Sequence, residues 1–132
     1  MALKSTIFTF LVTLSLLVFY RTYSYVSPLV YAVLAKFEKL EGKIKITQID
    51  KRKVRVTGQF KKGFSDVNPD NYKFLLGHES ETFTEQGIKI KPPGTEPFTF
   101  IASGNAPALI GKTISITYKN AAIDRTIFMV SE

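Results

Sequence analysis

Val54–Phe60, with the sequence VRVTGQF, decides the fold through its alternation of apolar and polar residues. Valine or phenylalanine occupies positions 54, 56 and 60, whereas positions 53, 55, 57 and 59 are charged or polar. Successive side chains of a strand point to opposite faces, so a period of two predicts a half-buried β-strand. Gly58 interrupts the apolar side and indicates either a bulge or the close approach of another segment.

The same period of two recurs along the chain on both sides of this segment. It is found at residues 44–47, 72–76, 88–91, 98–100, 114–119 and, less cleanly, 125–130. Segments rich in Gly, Pro, Asn and Asp separate these runs, and such residues favour turns. About seven short strands joined by turns predict an all-β fold, an immunoglobulin-like antiparallel β-sandwich of about seven strands.

The N-terminal region contains an uncharged, mostly apolar run, Ile7–Tyr20, with Lys4 before it and Arg21 after it. A basic start followed by an apolar core of this length predicts a secretory signal peptide over residues 1–24, and therefore a secreted, extracellular protein. Cleavage after Ser24 and cleavage after Ala35 both fit. The predicted organisation is a signal peptide, a lead-in segment over residues 25–42 that is a short helix or an extra strand, and a sandwich domain over residues 43–132.

An uncleaved membrane anchor is the alternative, because a second apolar run, Tyr25–Ala35, follows the first one. A spanning helix needs about 20 apolar residues, and neither run reaches that length alone. Arg21 would place a charge between the two runs, and Pro28 would kink a continuous helix. These features favour the signal peptide over the anchor.

The charge is unevenly distributed over a chain with a net charge of +7. Residues 36–62 carry ten basic and three acidic residues, whereas residues 63–132 carry six basic and eight acidic ones. The basic segment predicts attraction to an anionic membrane surface or an acidic partner, unless it is only the solvated face of two strands. The chain has no cysteine, which excludes thiol chemistry and disulfides. The signal peptide argues against nucleic acid as a partner.

No arrangement of residues in the sequence points to catalysis. His78 is the only histidine and lies in a turn-forming Gly-His-Glu segment. Glu79, Glu81 and Glu85 are close in sequence, and they are expected to lie in a loop and face water. The protein is therefore predicted not to be an enzyme and to need no cofactor.

Asp66, Asn68 and Asp70 have the one–three–five spacing of a calcium-binding loop. The loop would need glycine at its sixth position and glutamate at its twelfth, where this chain has Asn71 and Gly77. A turn built from turn-forming residues is the better interpretation, and no metal site is predicted.

Three segments in the second half of the chain resemble the MD-2-related lipid-recognition (ML) family. They are Ile88–Phe100 (IKIKPPGTEPFTF), Asn105–Leu109 (NAPAL) and Lys112–Tyr118 (KTISITY). The positions that match the family's P-I-K-x-G-T-x-F-like segment are Ile90, Lys91, Gly94, Thr95 and Phe98. The earlier segments Val54–Phe60 and Phe74–Gly77 also resemble strands of this family, although the chain lacks the cysteines that usually staple its sandwich.

The resemblance implies a secreted, monomeric protein that binds or transfers a lipid or another apolar molecule between its two sheets. Inward residues would then line the cavity: Phe60, Phe74, Phe98, Phe100, Ile116 and Tyr118. Basic residues would approach a headgroup or an acidic partner: Lys51, Arg52, Lys53, Arg55, Lys61 and Lys62. The alternative is an extracellular immunoglobulin-like interaction module with a filled core, whose basic face binds a protein or an acidic polysaccharide.

Overall fold

A computed structural model describes residues 31–131 of the chain. The predicted signal peptide, the cleavage site after Ser24 and residues 25–30 of the second apolar run lie outside the described residues. Within residues 31–131, no helix has the length and apolar character needed to cross a membrane.

Short antiparallel strands account for most of the described residues. In chain order they are β1 (Ala32–Phe37), β2 (Gly42–Gln48), β3 (Lys53–Phe60), β4 (Tyr72–Leu76), β5 (Glu79–Thr82), β6 (Ile90–Lys91), β7 (Gly94–Thr95), β8 (Phe98–Ser103), β9 (Thr113–Tyr118), β10 (Ala121–Ile127) and β11 (Met129–Val130). Two 3₁₀ turns, Pro69–Asn71 and Ala106–Leu109, lie between strands.

These strands form two main sheets that pack face to face. One sheet has five strands in the order β11-β1-β2-β3-β8, and the other has four in the order β10-β9-β4-β5. β6 and β7 form a separate two-stranded ribbon. All paired strands are antiparallel, and one apolar core lies between the two sheets. The predicted all-β antiparallel sandwich is therefore confirmed.

The strand β1 lies within the segment that the sequence predicts to be a lead-in helix or an extra strand. Its inward residues Val33, Ala35 and Phe37 are buried in the core, and β1 pairs with β2 along its whole length. The five-stranded sheet thus begins upstream of residue 43. A cut after Ala35 would fall inside this strand.

The register of β3 explains why alternation is so clear in this part of the sequence. Val56 lies opposite Ile46 on one side and Phe100 on the other, so inward residues meet across three strands. Gly58 lies beside Phe98, and a Cβ atom on this glycine would be 2.6 Å from Phe98 Cζ. The pairing of β3 continues through this position without a shift. Gly58 therefore marks a close approach rather than a bulge.

The end of the chain places the two sheets relative to each other. After β10 in the four-stranded sheet, the buried residue Phe128 leads directly into β11, which pairs with β1 in the five-stranded sheet. The β10 edge of one sheet therefore lies beside the β11-β1 edge of the other. The strands β5 and β8 form the opposite edges of their sheets.

Candidate functional site

Aromatic rings fill one half of the core. This aromatic cluster consists of Phe37, Phe60, Phe64, Tyr72, Phe83 and Phe98. The distance between neighbouring ring centroids ranges from 4.7 Å, for Phe64 and Tyr72, to 6.4 Å, for Phe60 and Phe83. These are the distances of favourable aromatic pairs, so this half of the core is closely packed.

The other half of the core contains an apolar cavity of about 60 Å³ between the two sheets. We call it the inter-sheet cavity. The five-stranded sheet contributes Ile44, Ile46 and Val56 to its wall, and the four-stranded sheet contributes Leu76 and Ile114. Aliphatic side chains thus form most of the wall.

Gln86 is one of the polar residues in this wall. It is only 8% exposed, and its side-chain Nε2 and Oε1 atoms have no hydrogen-bond partner among the described residues. The turn that follows β5 holds it there, since its backbone N–H donates to the carbonyl of Phe83 at 3.2 Å. An unpaired buried amide costs about 1–3 kcal/mol. Gln86 therefore lowers the stability of the fold unless another group supplies its hydrogen bonds.

Glu81 is the second polar residue of the wall and is only 2% exposed. The expectation that Glu81 faces water is therefore wrong, because β5 turns this side chain inward opposite Phe74. The backbone N–H of Thr82 lowers the pKa of Glu85 most, and a hydrogen bond with the Glu81 side chain lowers it further.

The cavity reaches the side of the sandwich where the free strand edges lie. Phe100 belongs to the edge strand β8, Glu81 belongs to the edge strand β5, and Gln86 follows β5 in the chain; all three line the cavity. Phe100 is only partly buried. This residue therefore contacts both the cavity and the solvent.

The six residues expected to line a cavity are divided by the structure. Phe74 and Phe100 lie in the cavity wall. Phe60 and Phe98 belong to the aromatic cluster, and Ile116 is fully buried on β9 without lining the cavity. The sequence gives no indication that Gln86 lies in the wall, because a glutamine in a turn carries no signal of burial.

Tyr118 lies away from the cavity and packs against Tyr72 with its ring tilted, at 4.9 Å between the ring centroids. Its hydroxyl donates to Asp66 Oδ2 at 2.8 Å, and this hydrogen bond raises the pKa of Tyr118. Asp66 also accepts from the backbone N–H of Asn68 at 2.9 Å and from Asn71 Nδ2 at 2.7 Å. The Asn68 N–H is the main cause of the lowered pKa of Asp66. The carboxylate of Asp66 therefore holds the loop before β4 together through these hydrogen bonds.

No metal centre emerges from the acidic loop. Asn68 uses its side-chain oxygen to accept from the backbone N–H of Asp70 at 3.0 Å, as in an ordinary Asx turn. Within residues 31–131, no group of three His, Cys, Asp or Glu residues is arranged to hold a metal ion.

The basic residues expected to contact a headgroup lie in three places. Lys53 and Arg55 are exposed on the outer face of β3, and Lys51 and Arg52 lie in the exposed turn between β2 and β3. Lys61 and Lys62 follow the other end of β3, where Lys62 Nζ lies 3.0 Å from Glu41 Oε2. They do not form one site. The outer face of β3 instead continues onto two exposed lysines of β2, at positions 43 and 45.

A larger concavity of about 410 Å³ lies on the surface between the β1–β2 turn and β10. Lys36, Glu38 and Lys39 line it together with residues 122–126. The carboxylate of Asp124 accepts from the backbone N–H groups of Lys39 and Leu40 at 2.9 and 3.2 Å. Because the buried carboxylate of Asp124 already binds the β1–β2 turn, this concavity is the weaker candidate for a ligand site.

These features define the chain as an antiparallel all-β sandwich with a small apolar cavity between its sheets. Neither protein-family models nor curated proteins match the chain when they are compared with it. The resemblance to the ML family therefore stays a prediction.

Proposed function

We propose that the protein is a secreted, non-enzymatic binding protein that takes a lipid or another apolar ligand between its two sheets. The site is the inter-sheet cavity, and the observation that carries the proposal is the amide of Gln86, which has no hydrogen-bond partner among the described residues and lies in a mostly apolar wall. Ligand sites combine a mostly apolar lining with a few polar groups that orient the ligand.

The amide of Gln86 supports a particular class of ligand. A leucine of similar size would avoid the cost of burying an unpaired amide, so the fold gains nothing from glutamine at this position. A hydroxyl or carbonyl group on the ligand would supply the missing hydrogen bond. The ligand therefore has an apolar body and a hydrogen-bonding group that reaches Gln86.

The size of the cavity requires it to widen on binding. A volume of about 60 Å³ is far below the ~300–1,000 Å³ of typical ligand pockets. The widening is expected between the edge strands β5 and β8, where the partly buried Phe100 lines the cavity. Aliphatic neighbours can repack around an alkyl chain because they offer few directional contacts that would be lost.

A pair of matched probes tests the proposal: a long-chain alcohol and the alkane of the same length. Binding of each to the full chain is measured by calorimetry, with native mass spectrometry as the check on stoichiometry. We expect the alcohol to bind about tenfold more tightly than the alkane, which corresponds to one hydrogen bond. In Gln86→Leu the preference for the alcohol should disappear while alkane binding remains.

A variant that fills the cavity separates this site from non-specific uptake. Ile46→Phe adds volume inside the cavity, whereas Ile101→Phe adds the same group on the exposed outer face of β8. We expect Ile46→Phe to lose binding and Ile101→Phe to retain it. Equal binding by both variants, or no binding of either probe to the unmodified chain, would remove the proposal.

A further inference from the structure

The five-stranded sheet has an outer face of unusual charge. Its strands carry five basic residues and no acidic residue. Alternation and register place all five on the outer face, and all are exposed: Lys36, Lys43, Lys45, Lys53 and Arg55. The strands of the four-stranded sheet carry two basic and three acidic residues. Among the two main sheets, only the five-stranded one has basic strand residues with no acidic strand residue to balance them, and we call its outer face the basic face.

Two of these lysines are direct neighbours across the sheet. Lys36 on β1 lies opposite Lys43 on β2 in the antiparallel register. Like charges opposite each other destabilise a sheet, and no acidic side chain on these strands compensates them. The arrangement works against folding, which indicates that the charge serves another purpose.

Exposed apolar side chains flank the basic face on both sides. Ile101 on β8 lies opposite Arg55 and is 50% exposed. Met129 on β11 lies opposite Leu34 and is 62% exposed. No aromatic residue occupies an outward position on these strands. Clustered basic residues are attracted to the anionic lipids of a membrane surface, and apolar side chains beside them can be buried at the boundary between headgroups and acyl chains.

We propose that the basic face docks onto an anionic lipid bilayer. Lys53 and Gln59 on β3 are six residues apart, so the face extends over roughly 20 Å at ~3.3 Å per residue. This extent allows several basic residues to approach one membrane surface at the same time. The lysines contact lipid headgroups, and Ile101 and Met129 enter the interfacial layer at the margins. The docking involves no residue of the inter-sheet cavity, so each proposal can fail without the other.

Co-sedimentation of the full chain with vesicles tests the docking. The vesicles contain either phosphatidylcholine alone or phosphatidylcholine with about one third phosphatidylglycerol. We expect binding to the anionic vesicles only, and loss of this binding in high salt because surface charges are screened within about 10 Å at 0.1 M. Lys43→Gln with Lys45→Gln should weaken binding roughly 25-fold, since each lysine near such a surface contributes about fivefold.

The control variant removes the same net charge elsewhere. Lys89→Gln with Lys112→Gln alters two exposed lysines outside the five-stranded sheet and should change binding by less than about twofold. Gln59→Lys adds a charge to the basic face beside Lys43 and should tighten binding about fivefold. A gain of this kind cannot result from misfolding.

Three outcomes would overturn the proposal. Equal weakening by the two double variants would show that net charge alone drives binding. If all variants still sedimented with the vesicles in high salt, the binding would be assigned to the N-terminal apolar run that they share. Tighter binding to a sulfated polysaccharide than to anionic vesicles at the same salt concentration would make the face a polysaccharide site instead.

Discussion

The two halves of the core are built from the same strands, yet one is filled and the other is hollow. β3 provides Phe60 to the aromatic cluster and Val56 to the inter-sheet cavity, and β4 provides Tyr72 and Leu76 in the same way. Apolar character is therefore similar on both sides. The difference lies in side-chain shape and in the two polar residues of the cavity wall.

Shape explains the filled half. Aromatic side chains bury about 150–250 Å² each and make favourable contacts in tilted or stacked pairs. Phe83 shows the effect, because its ring lies within 6.4 Å of four neighbouring rings in the two sheets and their connections. In the hollow half, smaller aliphatic side chains and the rings of Phe74, Phe100 and Phe128 surround the cavity together with Glu81 and Gln86.

The largest effect is expected from removing a ring in the filled half. Phe83→Ala should lower the free energy of unfolding by about 3–5 kcal/mol, as deletion of a buried ring usually does. Phe100→Ala, at the cavity, should cost about 1–1.5 kcal/mol because its ring is only partly buried. Urea unfolding of both variants gives the comparison. Phe83→Leu provides a version that still folds if the alanine variant does not.

Equal losses in these two variants would contradict the division of the core into a filled half and a hollow half. A larger loss for Phe100→Ala would reverse it.

In the hollow half, replacing a polar side chain by an apolar one should raise the free energy of unfolding, whereas the ring deletions lower it. Gln86→Leu removes a buried amide without a hydrogen-bond partner among the described residues and should raise the free energy of unfolding by about 1–3 kcal/mol. The matched change at an exposed site, Gln59→Leu, should alter it by less than about 0.5 kcal/mol. A loss of stability in Gln86→Leu would mean that the amide is already satisfied in the folded protein.

The smallest effect concerns the loop that closes the aromatic end. The Asn68 N–H and the hydroxyl of Tyr118 help to hold the pKa of Asp66 below its ordinary value of 3.8. A lowered pKa in the folded state stabilises the protein above the unfolded pKa, and this contribution is lost as the pH falls through the folded value. The stability difference between the unmodified chain and Asp66→Asn should therefore be present at pH 7 and shrink below about pH 4. Unfolding curves across this range measure it, and a difference that is independent of pH would exclude the carboxylate as its source.

Part of the fold could be predicted because it depends on local alternation. The inward positions of β3 at residues 54, 56 and 60 were evident from their spacing alone. The short strand β5 was missed, because four residues containing two glutamates resemble a solvated turn. Burial of Glu81 depends on the partner strand β4 and on the turn that follows, and neither is encoded in those four residues.

The candidate site was harder to predict than the fold. Inward phenylalanines are the natural candidates, yet of the four expected at the cavity only Phe74 and Phe100 line it. Phe60 and Phe98 lie wholly in the aromatic cluster. Alternation states which face a residue occupies but not which half of the core it enters. That position depends on how the two sheets are aligned and on the rings across the gap.

The sequence by itself determined which residues of the clearly alternating strands, such as β3, face inward and where the basic residues concentrate, since both follow from the period of a strand and from composition. Tertiary structure alone decided that residues 32–37 join the five-stranded sheet, that Gln86 is buried, and that the core is filled at one end and hollow at the other. These features arise from contacts between segments far apart in the chain. Packing between such segments depends on shape and alignment, which the local pattern of apolar residues does not specify.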